Sequence, residues 1–351
     1  MDKPTSTDRK QRPLQAGPSA LGWAARGIFA VSRARELLPS AADAIGNTPL
    51  VELSRLTRGE GGRIFAKLEY LNPGFSKKDR IARQILQEAE ASGALTPGQP
   101  VIELTSGNTG TGAAIVCAVQ GRPFIAVMSR GNSHERARMM CALGAEVILV
   151  EQADGSSPGM VSGGDLLLVE KRTSEIAAER GAFRIDQFSR LGNSRAHELH
   201  TGPEIYDACA GSLTAFCDFV GTGGSFAGLS KAFKARNPAI RGYVVEPAGA
   251  AVLQGLAASH PGHRIQGGGY AMADLDLLKN VAIDGFLTVS DDEAIDAARR
   301  LAREEGVFAG FSSGANVAAA LKLLKDVERG GTIAVLICDS GLKYLSTDLW
   351  P

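Results

Sequence analysis

The sequence is poor in cysteine and histidine, carries no net charge and contains no long apolar run. Its five cysteines show no Cys-x-x-Cys spacing and lie in apolar surroundings, which argues against zinc ligands and a disulfide framework. We therefore expect buried thiols in a reducing compartment, the cytoplasm. The five histidines show no spacing typical of a metal site or a catalytic triad, so we interpret them as surface or structural residues and predict no metal. The cysteines are Cys117, Cys141, Cys209, Cys217 and Cys338, and the histidines are His134, His197, His200, His260 and His263.

The balance of charge excludes one class of partner. Lysine plus arginine and aspartate plus glutamate number 38 each, so the chain has no overall basic field to attract nucleic acid. No apolar run approaches the roughly 20 residues that a membrane-spanning helix needs. A length of 351 residues with 44% hydrophobic and 22% charged residues is typical of a globular protein with two domains or one large α/β unit. We expect neither a nucleic-acid nor a membrane partner.

The first 40 residues differ from the rest. Residues 1–18 are polar and contain prolines, a composition typical of disorder, and residues 20–38 have the apolar spacing of a short helix. The excess of basic residues resembles a transit peptide, but Asp2, Asp8 and Glu36 argue against one. We predict that residues 1–40 are an extension that packs on the body of the protein or on a partner subunit.

From residue 45 onward, short apolar strands alternate with amphipathic helices. The predicted strands are residues 63–68, 101–104, 124–128, 146–150, 182–186, 215–220, 243–246 and 333–338. The predicted helices are residues 81–92, 111–120, 135–143, 166–180, 229–236, 291–305 and 315–327. This alternation predicts βαβ units and mostly parallel sheets, in which ligands bind at the carboxyl ends of the strands.

A pair of lysines, Lys77 and Lys78, opens the first of these helices directly after the turn-forming Pro73-Gly74. The positive N-terminus of a helix disfavours a protonated ammonium. A lysine here is therefore suited to act as a neutral amine toward an aldehyde. The alternative is a solvated helix start that carries two lysines without a catalytic role.

Three loops that open a predicted helix carry polar groups, and the first two of them follow a predicted strand. The first, Thr105-Ser106-Gly107-Asn108-Thr109-Gly110, offers the density of donors that a carboxylate or phosphate requires, although a Ser or Thr helix cap would use the same residues. The second, Gly221-Thr222-Gly223-Gly224-Ser225, indicates a phosphate cradle. A dinucleotide site fits this loop poorly, because Phe226 occupies the place of the third glycine in G-x-G-x-x-G. The third, Gly310 to Asn316, is typical of a helix start capped by Ser312 or Ser313.

The order of these and several further motifs resembles the cysteine synthase and cystathionine β-synthase family of pyridoxal-phosphate enzymes. The resemblance covers residues 45 to 349. The motifs that carry it are Ile45-Gly46-Asn47-Thr48-Pro49-Leu50-Val51, Ser76 to Arg80, Thr105 to Gly110, Gln187-Phe188-Ser189, Thr201-Gly202-Pro203-Glu204-Ile205, Gly221 to Ser225, Gly310 to Ala315 and Ser340 to Thr347.

The resemblance implies a tryptophan-synthase-β-like α/β fold, with two three-layer α/β/α domains and mostly parallel sheets. A large cofactor-phosphate-binding domain would comprise residues 41–71 and 191–351, and a small substrate-clamping domain would comprise residues 72–190. Family members are generally dimers, so we expect a homodimer.

The resemblance also implies a role for each matching residue. Lys78 directly precedes Asp79-Arg80, as the Schiff-base lysine of the family does, so Lys78 rather than Lys77 would hold pyridoxal 5'-phosphate and act as the catalytic base. Asn108 would bind the ring hydroxyl of the cofactor. A neutral hydroxyl, Ser312, would face the pyridine nitrogen and weaken the electron sink, which suits β-elimination. The residues that would bind the cofactor phosphate are Gly221, Thr222, Gly223, Gly224 and Ser225, and those that would bind the substrate carboxylate are Thr105, Ser106, Thr109 and Gln187.

The reaction implied is β-replacement on an activated L-serine, O-acetylserine or O-phosphoserine, through an aminoacrylate and with sulfide as the expected nucleophile. The chain would then be a cysteine synthase-like transferase of amino-acid biosynthesis. Phe75, Lys77, Thr111 and the stretch from Gln266 to Met272 depart from the usual pattern, which leaves the leaving group and the nucleophile open. The alternatives are a synthase of a non-protein amino acid with another nucleophile, an ammonia-lyase of the serine or threonine dehydratase type, and a binding subunit without catalysis.

Overall fold

A computed structural model of the chain describes residues 37–154 and 163–350. The predicted disorder of residues 1–18 and all but the last two residues of the predicted helix over 20–38 lie outside these ranges. In the described residues the strands are β1 (Leu50–Glu52), β2 (Arg63–Leu68), β3 (Val101–Leu104), β4 (Phe124–Ser129), β5 (Glu146–Val150), β6 (Phe183–Arg184), β7 (Ala215–Phe219), β8 (Arg241–Pro247), β9 (Gly285–Val289) and β10 (Thr332–Ile337).

The helices connect these strands and cover the sheets. They are α1 (Lys78–Ala91), α2 (Asn108–Val119), α3 (His134–Ala142), α4 (Gly163–Arg180), α5 (Gly192–Ala196), α6 (Gly202–Ala208), α7 (Gly224–Arg236), α8 (Asp291–Arg300) and α9 (Phe311–Lys325). A π-helical turn, His197–Thr201, joins α5 to α6, and another, Leu301–Glu305, extends α8.

The strands form two separate sheets. The larger has the order β1-β2-β10-β7-β8-β9, and the smaller has the order β5-β4-β3-β6. Among the described strands, β1 and β2 pair in the antiparallel sense, and the other strand pairs are parallel. The mixed α/β fold with mostly parallel sheets is thereby confirmed.

The smaller sheet draws its strands from residues 101–184 alone, and the larger sheet uses strands on either side of that stretch. This division is compatible with the predicted domains, whose boundaries stay a prediction. The last strand, β10, lies between β2 and β7, and its six residues are all buried. The chain segment that follows β10 is therefore brought against the segments that follow β2 and β7.

The four helices that begin in a polar motif, α1, α2, α7 and α9, start three to five residues earlier than the apolar spacing predicts. In all four the added first turn belongs to that motif. Because the first four N–H groups of a helix have no partner within the helix, the polar loops present free donors at the carboxyl ends of the strands. The short strands β1 and β9 and the helices α5 and α6 are absent from the sequence prediction.

The prediction of buried thiols is wrong for one cysteine. Cys141, on the outer side of α3, is exposed, whereas the other four cysteines are buried; none of the five is paired. In the described residues no helix is long and apolar enough to cross a membrane, and no cluster of three or more histidine, cysteine, aspartate or glutamate side chains is arranged to hold a metal.

Candidate active site

Lys78 is the first residue of α1, so its amine lies at a helix N-terminus as predicted. Burial, and next the positive charge of the adjacent Lys77, lower the pKa of Lys78 to about 8. Both effects disfavour the ammonium form relative to the neutral amine. Close to neutral pH, Lys78 therefore has an accessible neutral state.

Lys77 is in the opposite situation. Its Nζ lies 3.0 Å from Asp218 Oδ1 and donates to Ser225 Oγ at 2.9 Å. Burial alone would lower the pKa of Lys77, but the Asp218 carboxylate outweighs it and the net pKa is raised. Lys77 is thus a permanently charged partner of Asp218, and Lys78 is the lysine available for amine chemistry.

A buried ion network fixes the start of α1. Arg80 donates from Nε and Nη2 to Glu69, at 2.7 and 2.8 Å, and from Nη1 and Nη2 to Glu204, at 2.8 Å each. Lys67 Nζ lies 2.6 Å from Glu204, and Thr48 donates to Glu69 at 2.7 Å. The motifs that contain Thr48, Arg80 and Glu204 are distant in the sequence and meet at Arg80, two residues after Lys78. Their contacts therefore hold the backbone at Lys78 in place.

The loop after β3 is organised by a hydroxyl. Thr105 Oγ1 accepts hydrogen bonds from the N–H groups of Gly107 and Gly110, at 2.9 Å each. Thr109 donates to Gln187 Oε1 at 2.7 Å, and Gln187 Nε2 donates to the Leu104 carbonyl at 3.1 Å. The structure thus brings Thr105, Thr109 and Gln187 together at the N-terminus of α2, although their binding of a carboxylate stays a prediction.

Asn108 is held by two residues from the end of the chain. Its Nδ2 donates to Asp339 Oδ2 at 2.7 Å, and its Oδ1 accepts from Lys343 Nζ at 2.7 Å. Tyr344 donates to the same Asp339 oxygen at 2.6 Å. Burial lowers the pKa of Lys343 to about 8, with the neighbouring carboxylates Asp339 and Asp79 acting against that shift. The amide of Asn108 therefore has one fixed orientation.

The predicted phosphate loop connects β7 to α7. Gly223 has φ of +83° and a Cβ there would lie 2.7 Å from Leu278 Cγ, so only glycine fits. Asn193 Nδ2 donates to Thr222 Oγ1 at 2.9 Å, which leaves the Thr222 hydroxyl proton available. Ser225 differs, because its hydroxyl donates to Asp218 while it accepts from Lys77. Thr222, rather than Ser225, has the free hydroxyl donor.

Ser312 lies in the first turn of α9, and the residue that caps this helix is Gly310. Neither Ser312 nor Ser313 caps it, so that interpretation of the third loop is wrong. Ser313 Oγ accepts from the N–H of Cys338 at 2.9 Å, and Ser312 hydrogen-bonds the thiol of Cys338, whose pKa burial raises to about 11. Ser312 thus presents a neutral group beside a neutral thiol.

Several residues of this site were not predicted from the sequence: Asp218, Asn193, Asp339 and Lys343. Asp339 and Lys343 lie beside or within a motif that marks the resemblance, which was the one available signal. Asp218 is a charged residue in the middle of the apolar strand β7 and is fully buried. An acid in such a strand needs a buried cationic partner, and Lys77 is that partner.

Comparisons with known proteins identify the family of this chain. A family model described as pyridoxal-phosphate dependent enzyme matches residues 41–339. The chain belongs to this family. A cysteine synthase of Staphylococcus aureus is 37% identical over 308 residues, which cover 87% of this chain and 95% of that protein. The crystal structure of a cysteine synthase from Entamoeba histolytica superimposes with a TM-score of 0.83 at 34% identity, covering 91% of this chain and 92% of that one. An O-ureido-L-serine synthase structure gives a TM-score of 0.79 at 36% identity, covering 90% and 95%.

These findings confirm the predicted family, the fold, the enzyme class and the cofactor. The residues present also fit pyridoxal phosphate. The site has an amine with a lowered pKa at Lys78, a glycine-rich helix start with a free hydroxyl at Thr222, an oriented amide at Asn108 and a neutral hydroxyl at Ser312. The assignment of each residue to a particular atom of the cofactor stays a prediction.

Proposed function

We propose that this pyridoxal-phosphate enzyme catalyses β-replacement on an activated L-serine, with O-acetyl-L-serine as donor and sulfide as nucleophile. The observation that carries the proposal is the contrast between the two adjacent lysines, since Asp218 holds Lys77 in its charged form, whereas Lys78, at the mouth of α1, has a lowered pKa. The similarity to cysteine synthases over most of the chain supports the choice of donor and nucleophile.

The bound cofactor supplies an aldehyde for the amino groups of Lys78 and of the substrate, and a conjugated ring that stabilises negative charge. The protein supplies position and proton transfer. Lys78, once freed by the substrate amine, accepts the α-proton of the substrate and can return it. Its lowered pKa keeps a substantial neutral fraction near pH 8, which a base for this step needs.

The remaining residues bind and orient. The N–H groups at the start of α2, with Thr109 and Gln187, would bind the substrate carboxylate at a helix N-terminus. Asn108, fixed by Asp339 and Lys343, would bind the ring hydroxyl of the cofactor. The start of α7, with Thr222, would bind the cofactor phosphate. Ser312 would face the ring nitrogen of the cofactor with a neutral hydroxyl, which would favour loss of a β-substituent over reactions that need long-lived charge on the ring.

We also propose that the protein is a cytoplasmic homodimer. The family resemblance supports the dimer, and the five unpaired cysteines support a reducing compartment. Sedimentation equilibrium on the purified full-length chain tests the oligomeric state, and fractionation of the native cells tests the location.

A visible absorption spectrum of the purified enzyme tests the reaction. We expect a band of the lysine-bound cofactor that moves to longer wavelength when O-acetyl-L-serine is added without a nucleophile, and that returns when sulfide is added and cysteine forms. L-Serine, which lacks the activated leaving group, is the matched control donor. Release of ammonia and a keto acid at the same rate with and without sulfide would contradict β-replacement and favour an ammonia-lyase. A spectrum without any cofactor band after addition of pyridoxal phosphate would contradict catalysis altogether.

A further inference from the structure

A large cleft lies beside the loop that follows β3. Its volume is about 770 Å³, and its lining includes Thr105, Ser106, Arg136, Gln266 and Tyr270. The first two of these residues belong to the predicted carboxylate site. The cleft is therefore placed to admit the part of a substrate that extends beyond the α-carboxylate, or a second substrate.

Arg136, in the first turn of α3, is only 1% exposed and lines this cleft. Its Nη1 donates to the Ser106 carbonyl at 2.9 Å, and its guanidinium lies over the ring of Tyr344, 4.8 Å from the centroid. Its Nε and Nη2 are buried and have no hydrogen-bond partner in the described part of the chain. No carboxylate among the described residues forms an ion pair with it.

The two unpartnered nitrogens are the ones that form the side-on edge of a guanidinium. This edge presents two parallel N–H donors and matches the two oxygens of a carboxylate or phosphate. The same chain uses it elsewhere: Arg80 binds Glu69, Arg63 binds Glu52 and Arg195 binds Glu88, each through Nε and Nη2. In Arg136 alone of these four, the edge has no protein partner in the described residues.

Leaving a buried charge half-satisfied is costly, because each missing hydrogen bond of a buried polar group destabilises the protein unless another partner is bound. Two further buried atoms without a partner in the described residues, His263 Nδ1 and Gln266 Oε1, belong to residues that line the same cleft. A cleft with several buried, unpartnered polar atoms is complementary to a polar ligand, and a guanidinium edge is complementary to an anionic one.

We propose that Arg136 binds an oxyanion of a substrate in this cleft. This inference rests on the proposed function. The bound group is an oxyanion in either case, and two different substrates can supply it. The oxyanion is the phosphate leaving group of an O-phospho-L-serine donor, or it is a carboxylate on the nucleophile. Arg136 then determines specificity for anionic substrates; it does not take part in proton transfer.

The alternative role for Arg136 is purely structural. Its side chain packs on Gly107, where a Cβ would lie 2.5 Å from Arg136 Cδ, and it holds the Ser106 carbonyl. A structural arginine would support the loop equally for every substrate. An oxyanion site would discriminate between charged and neutral substrates, so the decisive quantity is a ratio of rates within one variant.

The variants are Arg136→Gln and Arg136→Lys, with Arg138→Gln as control, since Arg138 lies on the same helix and is exposed. The first ratio is kcat/KM for O-phospho-L-serine over O-acetyl-L-serine, with sulfide as nucleophile. The second is kcat/KM for mercaptoacetate over 2-mercaptoethanol, with O-acetyl-L-serine as donor; these thiols are similar in size and differ in the carboxylate. A general loss of activity caused by damage to the loop lowers kcat/KM for both substrates of a pair, so it cancels in each ratio.

If Arg136 binds the phosphate, Arg136→Gln lowers the first ratio by about 10- to 100-fold, the effect of losing a charge-assisted hydrogen bond, and leaves the second unchanged. If it binds a carboxylate, the second ratio falls and the first does not. Arg136→Lys is expected to lower the same ratio by less, because lysine keeps the positive charge and lacks the two parallel N–H donors of the guanidinium. The proposal is overturned if both ratios, measured for Arg136→Gln, stay within about twofold of those of the unmodified enzyme and of Arg138→Gln.

Binding of inorganic phosphate to each holoenzyme, measured by titration calorimetry, separates this proposal from the proposed function. If the unmodified enzyme forms no cysteine from either donor, the proposed function fails. Weaker phosphate binding in both Arg136 variants than in Arg138→Gln still supports the oxyanion site in that case. Equal binding in all four proteins overturns it.

Discussion

Lys77 and Asp218 form a buried ion pair, with Lys77 Nζ 3.0 Å from Asp218 Oδ1. The pair separates the two adjacent lysines into different roles. Lys77 keeps its proton because Asp218 stabilises its charge, whereas the pKa of Lys78 is lowered first by burial and then by the charge of Lys77. The charge that disqualifies Lys77 as an amine nucleophile thus helps to keep Lys78 neutral.

We predict that the cofactor is attached to Lys78 and not to Lys77. After borohydride reduction of the holoenzyme, peptide mass spectrometry should find the cofactor mass on Lys78 in the unmodified protein and in Lys77→Met. In Lys78→Ala the covalent label should be lost and kcat should fall by at least about 10³-fold, because both the attachment point and the base are removed. A label on Lys77 in the unmodified protein would contradict this assignment.

We predict that the charge at position 77 sets the pH at which the apoprotein captures pyridoxal phosphate. Capture needs the neutral amine, so its rate should rise as pH increases through the pKa of Lys78, about 8. Lys77→Met removes a positive charge that lowers this pKa and leaves Asp218, which raises it, so the midpoint should move to higher pH. Asp218→Asn removes the negative charge and should move the midpoint to lower pH.

Stopped-flow absorbance at the cofactor band measures this capture rate from pH 6 to about 10. The two substitutions are matched because each removes one member of the same ion pair. Shifts of the same sign, or no shift in either variant, would show that the pair does not control the amine. Each variant's far-ultraviolet circular dichroism serves as the control for folding.

We predict that Arg80 is a major contributor to stability. Arg80→Met leaves Glu69 buried without its cation and leaves Glu204 with Lys67 alone, so the free energy of unfolding should fall by about 3–5 kcal/mol. Arg63→Met is the control, because Arg63 binds Glu52 through the same Nε and Nη2 edge but on the surface, where such a pair contributes about 0–1 kcal/mol. Urea unfolding of both apoproteins measures the difference. Equal losses would mean that burial of the network has no energetic consequence.

Local pattern in the sequence was sufficient for much of the fold and for part of the site. Runs of mainly apolar residues gave β2, β3 and β5 with the bounds that the structure has, because strands of a largely parallel sheet are rich in apolar residues. The first two glycine- and hydroxyl-rich loops were identified because each follows such a strand. The first helical turns were missed, since residues at a helix start bind through their N–H groups and need no apolar side chain.

The partners of the site residues could not be predicted in the same way. Lys77 and Asp218 are 141 residues apart, and Asn108 and Lys343 are 235 residues apart. These contacts depend on the insertion of β10 between β2 and β7, which no local pattern specifies. The free edge of Arg136 was equally inaccessible, because a helix with a charged residue in its first turn is predicted to place that residue in solvent.

Our last prediction concerns Gly107, which has φ of +125° and lies against Arg136. In Gly107→Ala the backbone is strained and the new Cβ would lie 2.5 Å from Arg136 Cδ, so Arg136 must move. Gly121→Ala is the control, because Gly121 also has positive φ, +64°, but has open space around its Cβ position. We expect Gly121→Ala to lower the free energy of unfolding by about 1 kcal/mol and Gly107→Ala to lower it by at least about 2 kcal/mol more, as measured by urea unfolding of the apoproteins.

Gly107→Ala should also weaken phosphate binding to the holoenzyme, because the guanidinium of Arg136 is displaced. A Gly107→Ala enzyme as stable as Gly121→Ala would mean that the loop after β3 relaxes freely, and would remove the rigidity on which the oriented donors of this site depend.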